Sequence, residues 1–302
     1  MGMTTKEEDF VENVIAVNSH SYLMLFTNLG KVQMIKAYQI PEAGRTAKGT
    51  NIVNILELEE GEKITAMLSV ADFDMEDDKE EYLLFVTKQG TVKRTLLSEF
   101  AYKRKGGKRA LTLDEGDELI YVRHTSGSDQ VIIATSEGYA CRFDENDARV
   151  MGRSARGVRG IRLGEGDFVA GVALVDDTKH LVTITKNGFG KRCEFSEYAC
   201  HNRGGKGVCC HNISDKTGAL AGIATVSENE DLMIISDDGN VIRVPVSDVP
   251  IYSRTAGGVI VMRMAEETKV VNFAVVESDK EEETTDAMNE DTVELTDITE
   301  EV

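Results

Sequence analysis

The 302 residues carry a formal charge of −19, with 27 glycines, 3 prolines, 5 cysteines and no tryptophan. No apolar run reaches the ~18 residues of a membrane span, and Lys6, Glu7, Glu8 and Asp9 stand where a secretory signal needs apolar residues, so a cytosolic protein is expected. Abundant glycine and scarce proline suit many short strands joined by tight turns, and the odd number of cysteines points to free thiols rather than a disulfide framework.

In chain order, an apolar strand at 22–26 runs into Thr27-Asn28-Leu29-Gly30 and then into a basic strand carrying Lys31 and Lys36. The same pattern returns at 82–86 with Thr87-Lys88-Gln89-Gly90 and at 131–134 with Thr135-Ser136-Glu137-Gly138. It recurs at 180–184 with Thr185-Lys186-Asn187-Gly188 and at 231–235 with Ser236-Asp237-Asp238-Gly239. The marker glycines lie 60, 48, 50 and 51 residues apart, the signature of a tandem array. An acidic insertion at 72–81 explains the long first interval and reads as a solvated loop. Glycine at the marker position supplies the positive φ of a tight, two-residue hairpin.

Fourteen or fifteen residues after each marker comes a basic, glycine-rich corner. The five are Gly44-Arg45-Thr46-Ala47-Lys48-Gly49, Lys103-Arg104-Lys105-Gly106-Gly107-Lys108-Arg109, Gly152-Arg153-Ser154-Ala155-Arg156-Gly157, Asn202-Arg203-Gly204-Gly205-Lys206-Gly207 and Ser253-Arg254-Thr255-Ala256-Gly257-Gly258. A further apolar strand follows each corner, as at 51–56, 110–113 and 258–262, and the next repeat then opens with a strand at 64–70, 119–123, 169–175 or 220–226. This places the repeats at about 10–63, 64–118, 119–167, 168–219 and 220–277. One four-stranded unit cannot bury both of its faces, so an all-β, propeller-like array of four-stranded blades is expected over 1–277.

Lysine and arginine on glycine-rich corners present charge while letting backbone N–H groups approach phosphate oxygens. Recurrence at one structural position would line the corners along a single rim, with Arg159 just beyond the third. Lys93, Arg94, Arg142, Lys191, Arg192 and Arg243, shortly after the marker glycines, extend this candidate belt. A curved basic rim with no recognition helix would hold duplex DNA by its backbone and bend it, with little base readout. The bland alternatives are charges that serve solubility alone, or a protein-binding propeller engaging acidic partners.

The net charge is skewed by residues 278–302, which hold eleven Asp or Glu and one Lys and read as a disordered acidic tail. The cluster Cys200, His201, Cys209, Cys210 and His211 has no C-x-x-C pair, and Cys209 and Cys210 would point to opposite faces of a strand, so no metal is expected. No nucleophile, base or cofactor motif stands out, and a P-loop is excluded because Lys206 is followed by Gly207.

Glu8-Asp9-Phe10-Val11-Glu12, Phe26-Thr27-Asn28-Leu29-Gly30-Lys31-Val32, the stretch from Ile40 through the first corner to Gly49, and Gly61-Glu62-Lys63-Ile64-Thr65-Ala66 resemble the C-terminal domain of the bacterial DNA gyrase A protein. The resemblance extends to about Val276. It implies a six-bladed β-pinwheel whose blades exchange strands, of which five repeats are readable here. It further implies a non-catalytic, DNA-wrapping role beside the rest of gyrase A and gyrase B in an A2B2 enzyme that introduces negative supercoils, located in the bacterial cytoplasm at the nucleoid. The hallmark Q-R-R-G-G-K-G box of the family's first repeat is absent, and Asn202-Arg203-Gly204-Gly205-Lys206-Gly207 resembles it in a later repeat. The related domain of topoisomerase IV is the nearest alternative. A truncated array would leave the last strand, at 269–276, without its usual partner.

Overall fold

In a computed structural model of the protein, which describes residues 15, 17–44, 49–71, 73, 80–101 and 107–278, every marker glycine closes a β-hairpin. The hairpins pair Tyr22–Thr27 with Lys31–Lys36, Tyr82–Thr87 with Thr91–Leu96, Gln130–Thr135 with Tyr139–Asp144, His180–Thr185 with Phe189–Glu194, and Glu230–Ser236 with Val241–Pro245. The turn has three residues rather than the expected two. Gly30 N–H donates to the Thr27 carbonyl at 2.9 Å, residues 28 and 29 keep negative φ, and Gly30 alone takes φ 72°. A type I turn followed by a left-handed residue has this pattern. The Thr27 hydroxyl accepts the Lys31 N–H, and Thr87, Thr135 and Thr185 act alike in their own turns.

Strand order corrects the expected repeat boundaries. Ile64–Val70, read as opening the second repeat, pairs instead with Tyr22–Thr27 of the hairpin before it. Leu119–Thr125, Val169–Leu174, Leu220–Val226 and Val270–Glu277 likewise close the blades that precede them. A one-residue register shift interrupts all five of these pairings near the turn, the mark of a β-bulge. The strand at 269–276, expected to lack a partner, is fully paired with Glu230–Ser236.

The segments after the corners are not the apolar strands expected. Each reduces to a two-residue strand, or in the first repeat to a 3-10 turn over Ile52–Asn54. These short strands leave their own repeat: Lys108–Arg109 pairs with Lys31–Lys36 of the blade before, Val158–Arg159 with Thr91–Leu96, Val208–Cys209 with Tyr139–Asp144, and Val259–Ile260 with Phe189–Glu194. Four sheets thereby reach four strands by exchange, while the fifth has three. Its outer strand, Val241–Pro245, pairs with Glu230–Ser236 on one side, and its other side has no partner strand among the described residues.

The five sheets stand side by side in a ring, with the strands that close each blade packed against their neighbours at the centre. There the Tyr121 hydroxyl donates to the Ala170 carbonyl at 2.6 Å and the Arg123 guanidinium to the Val172 carbonyl at 3.1 Å. The period of two sends alternate residues of each strand to opposite neighbours. Leu83 and Phe85 pack with Met24 and Phe26 of the first blade, whereas Leu84 and Val86 pack with Val131 and Ile133 of the third. Burial of apolar surface between blades is therefore the main stabilising term, and no blade could retain it alone.

A hydrogen-bonded clip fixes each exchange. The Gly30 carbonyl accepts the N–H groups of Ala110 and Leu111, Gly90 those of Gly160 and Ile161, Gly138 those of Cys210 and His211, and Gly188 those of Val261 and Met262. The incoming backbone is so close that a Cβ on Gly188 would collide with the Met262 carbonyl, whereas nothing lies within 4 Å of the same point on Gly239. His211 adds a second tie. Its Nε2 donates to the Gly257 carbonyl at 3.1 Å, which leaves Nδ1 to accept the Thr183 hydroxyl at 2.9 Å. Burial, and then the nearby Lys191, push the His211 imidazole down to about 4.

Gly188 and Gly239 share a left-handed φ, so alanine at Gly239 is expected to cost about 1–2 kcal/mol from backbone strain alone. Alanine at Gly188 adds the collision and should cost about 2–5 kcal/mol, as read from urea unfolding midpoints. His211 is neutral in the fold and takes a proton when unfolded below its ordinary value of 6.5, so stability should fall from pH 6.5 towards pH 4 and level off below. The loss is about 3 kcal/mol for this group, and His211→Gln should flatten that limb of the stability profile.

Candidate nucleic-acid interface

The third, fourth and fifth corners each lie across the outer edge of the preceding blade, held at both ends by it. On the second blade, Val150 bridges Arg94 in parallel, the chain loops outward through residues 152–157, and Val158–Arg159 returns antiparallel to Val92 and Thr91. The fourth and fifth corners enter by the same parallel bridge, Cys200 to Arg142 and Ile251 to Arg192. From the second corner onward, the segment after each corner touches the next corner. Thr112 N–H donates to the Ala155 carbonyl, Arg162 N–H to Gly205 and Asn212 N–H to Ala256. The Arg203 guanidinium reaches the Arg159 carbonyl at 2.8 Å, and that of Arg254 reaches the Cys209 carbonyl at 3.1 Å. The result is one continuous ridge on the outside of the ring.

Cations of the candidate belt divide sharply along this ridge. Arg109, Arg156, Arg159 and Lys206 are exposed on it, with Gly204, Gly205 and Gly207 forming the loop that carries Lys206. Arg156 pairs with Asp114 at 2.8 Å, and the Lys206 ammonium sits 4.3 Å from the Tyr139 ring centroid. Arg153, Arg203 and Arg254 are half-buried, and the last two direct guanidinium donors at neighbouring backbone. Arg45, Lys48, Lys103, Arg104 and Lys105 lie outside the described residues, as do all but Ser278 of the acidic tail and most of the acidic insertion.

The strand cations need correction, because the following repeat covers the edge on which they lie. Lys93 and Lys191 are fully buried. The Lys93 ammonium donates to the carbonyls of Ala110, Gly152 and Arg153, and that of Lys191 to Ser253 and Arg254. Burial and the adjacent Arg153 push Lys93 down to about 7, with Glu99 opposing them. Lys108 is buried as well, its ammonium on the Phe100 carbonyl, and burial lowers its pKa.

One position further on, arginine ties the second, third and fourth blades to the 3-10 turn of the next. Arg94 bonds Asn146 at 2.8 Å and pairs with buried Glu145 at 3.3 Å. Arg142 donates to the Phe195 carbonyl and Arg192 to that of Val249. Arg243, beyond which the described residues hold no further blade, turns back to Asp231 and the Glu277 carbonyl. Apart from Arg243, which is exposed and tied within its own blade, these are interior or inter-blade cations rather than free surface charges.

Three exposed arginines were missed: Arg149, Arg162 and Arg263, none with an ion pair among the described residues. A signal existed for two of them. Arg162 and Arg263 both stand five residues after a corner glycine, Gly157 and Gly258. The Cys200 to His211 cluster is dispersed: Cys210 and His211 are buried, Cys200 is exposed, and among the described residues no three His, Cys, Asp or Glu side chains stand where they could hold a metal.

Comparison with known proteins matches the same five units. The family model described as DNA gyrase C-terminal domain, beta-propeller, aligns with residues 21–71, 81–126, 129–176, 179–227 and 230–277. The DNA gyrase A protein of Clostridium acetobutylicum is 44% identical over 285 residues, which is 94% of this chain and 34% of that protein. That of Staphylococcus aureus is 42% identical over 285 residues, 94% of this chain and 32% of the relative. The chain thus spans about a third of the length of the curated relatives it matches. A solved DNA gyrase A C-terminal domain superposes with a TM-score of 0.75 at 27% identity, covering 91% of this chain and 92% of that one. A topoisomerase IV C-terminal domain superposes at 0.80 with 25% identity, covering 91% and 85%. With its five blades, exchanged strands and matching sequence, the chain belongs to the DNA gyrase C-terminal domain family.

Proposed function

We propose that this chain wraps duplex DNA around its outer ridge, without catalysis of its own, as the C-terminal part of a type II topoisomerase of the gyrase A kind. The observation that carries this reading is the continuity of the ridge: from the second corner onward, the segment after each corner is hydrogen-bonded to the next, and the ridge carries exposed Arg109, Arg156, Arg159, Arg162, Lys206 and Arg263. A duplex following it would be held through phosphates, with sequence entering only through ease of bending. Bending each 20–30 bp by 40–90° costs about 1–6 kcal/mol, so several corners must act together. Its partners would be the rest of gyrase A and gyrase B, acting on chromosomal DNA in the bacterial cytoplasm.

Affinity for a duplex of about 40 bp should fall steeply with salt, with a slope in log K of about −0.9 per phosphate neutralised. Arg159→Ala and Arg162→Ala should each reduce that slope by about one unit. Arg192→Gln should instead lower stability and leave the slope of the folded fraction nearly unchanged, because its guanidinium is buried. Titration against ionic strength with a bent-DNA readout checks all three, and a slope that ignores the ridge arginines would sink the reading. Joined to a gyrase catalytic core, the chain should restore negative supercoiling of a relaxed minicircle, whereas a domain of the topoisomerase IV kind would not.

A further inference from the structure

The two fully buried lysines lie beneath the third and fifth corners and bond them in the same way. Lys93 takes the carbonyls of Gly152 (3.2 Å) and Arg153 (2.7 Å), and Lys191 takes those of Ser253 and Arg254 (2.7 Å each). No peptide bond of the described residues is cis, so the N–H of the following residue points opposite to each captured carbonyl. Two successive N–H groups are thus aimed away from the interior in each corner: Arg153 and Ser154 in one, Arg254 and Thr255 in the other. Ser154 and Thr255 are exposed, and their N–H groups meet no acceptor among the described residues. Paired amides turned outward in this manner form an anion-binding concavity.

One of these four donors already holds an anion. The Glu197 carboxylate accepts the Arg254 N–H at 2.8 Å. Glu99 occupies the equivalent place before the third corner, nine residues after its own marker glycine, with a carboxylate oxygen 3.7 Å from Arg153 Nε. That Nε is buried and has no hydrogen-bond partner among the described residues. The fourth corner is built otherwise, since Cys141 replaces the buried lysine beneath it.

We propose that the amides of Arg153 and Ser154, and of Arg254 and Thr255, are two phosphodiester seats on the ridge, held open from below by Lys93 and Lys191, with the Glu197 carboxylate occupying the second in the absence of DNA and the Glu99 carboxylate standing beside the first at the Arg153 guanidinium. The proposal rests on the DNA-wrapping reading and adds to it the groups that receive the backbone. Lys93 and Lys191 are positioning residues: they touch no phosphate, but without their ammonium groups the Arg153 and Arg254 carbonyls lose their donors, while those of Gly152 and Ser253 keep only the N–H groups of Ala155 and Ala256. A DNA phosphodiester matches a carboxylate in charge and in free oxygens, so it displaces the glutamate because the duplex engages several ridge cations at once.

The test uses the full 302-residue chain, labelled with nitrogen-15, and a 40-bp duplex. In the parent chain the amide resonances of Arg153, Ser154, Arg254 and Thr255 should shift on adding duplex. Lys191→Met should abolish the shifts at Arg254 and Thr255 and keep those at Arg153 and Ser154, and Lys93→Met should do the reverse. Glu197→Gln should tighten duplex binding severalfold, and it keeps the test decisive if the lysine variants fail to fold. Binding of duplex with shifts confined to Arg156, Arg159 and Arg162, or an unchanged affinity for Glu197→Gln, overturns the two seats while leaving ridge binding intact. Absence of any duplex binding by the parent chain overturns both.

Discussion

Everything in this molecule depends on one backbone arrangement: the carbonyl of a hairpin glycine receiving two N–H groups from the repeat that follows. It occurs at Gly30, Gly90, Gly138 and Gly188, and at each the incoming chain passes where a side chain would stand. Glycine is needed twice over, for the left-handed φ of the turn and for that approach. Without the clip the two-residue strands would have nothing to pair with, and the corners they anchor would not lie across the outer edge of the ring.

The clip also explains how a strongly acidic chain can present a basic ridge. Cations near the turns are consumed inside: lysine holds the corner carbonyls, and arginine holds the 3-10 turns of the next blade. Burial of this sort is tolerated because the Lys93 and Lys191 ammonium groups each meet two or three carbonyl oxygens at once. Apart from Arg149 and Arg243, the exposed arginines among the described residues are carried by the corners and by the segments just after them. Position in the repeat, rather than total charge, therefore decides which cations can meet a partner.

Much of this was legible in the sequence. Five glycines with a preceding Thr or Ser located the hairpins, and the recurring basic corners located the ridge. Two things were hidden, for the same reason. The strand Ile64–Val70 follows the first corner in sequence and looks like the start of something new, yet its apolar alternation fits an antiparallel partner on either side equally well. Lys93 and Arg94, or Lys191 and Arg192, read as adjacent surface charges because the groups that bury them, such as Gly152 and Ser253, lie about 60 residues away. Local pattern reports the element, and exchange between repeats determines its surroundings. The three-residue turn was similarly masked, since both turn types place glycine next to the second strand.

Each blade takes its place from the one before it, by a contact that runs in a single sense along the chain. An array joined in this way has no independent reference for its curvature: the path of the outer ridge is the accumulated result of successive joints. At the centre those joints are unequal, with Gly171 pressed against the Ile223 backbone and Gly222 against the Phe273 ring. A small change of angle at either would be carried through every later blade, so residues far from any nucleic acid hold leverage over the direction in which a wrapped duplex departs.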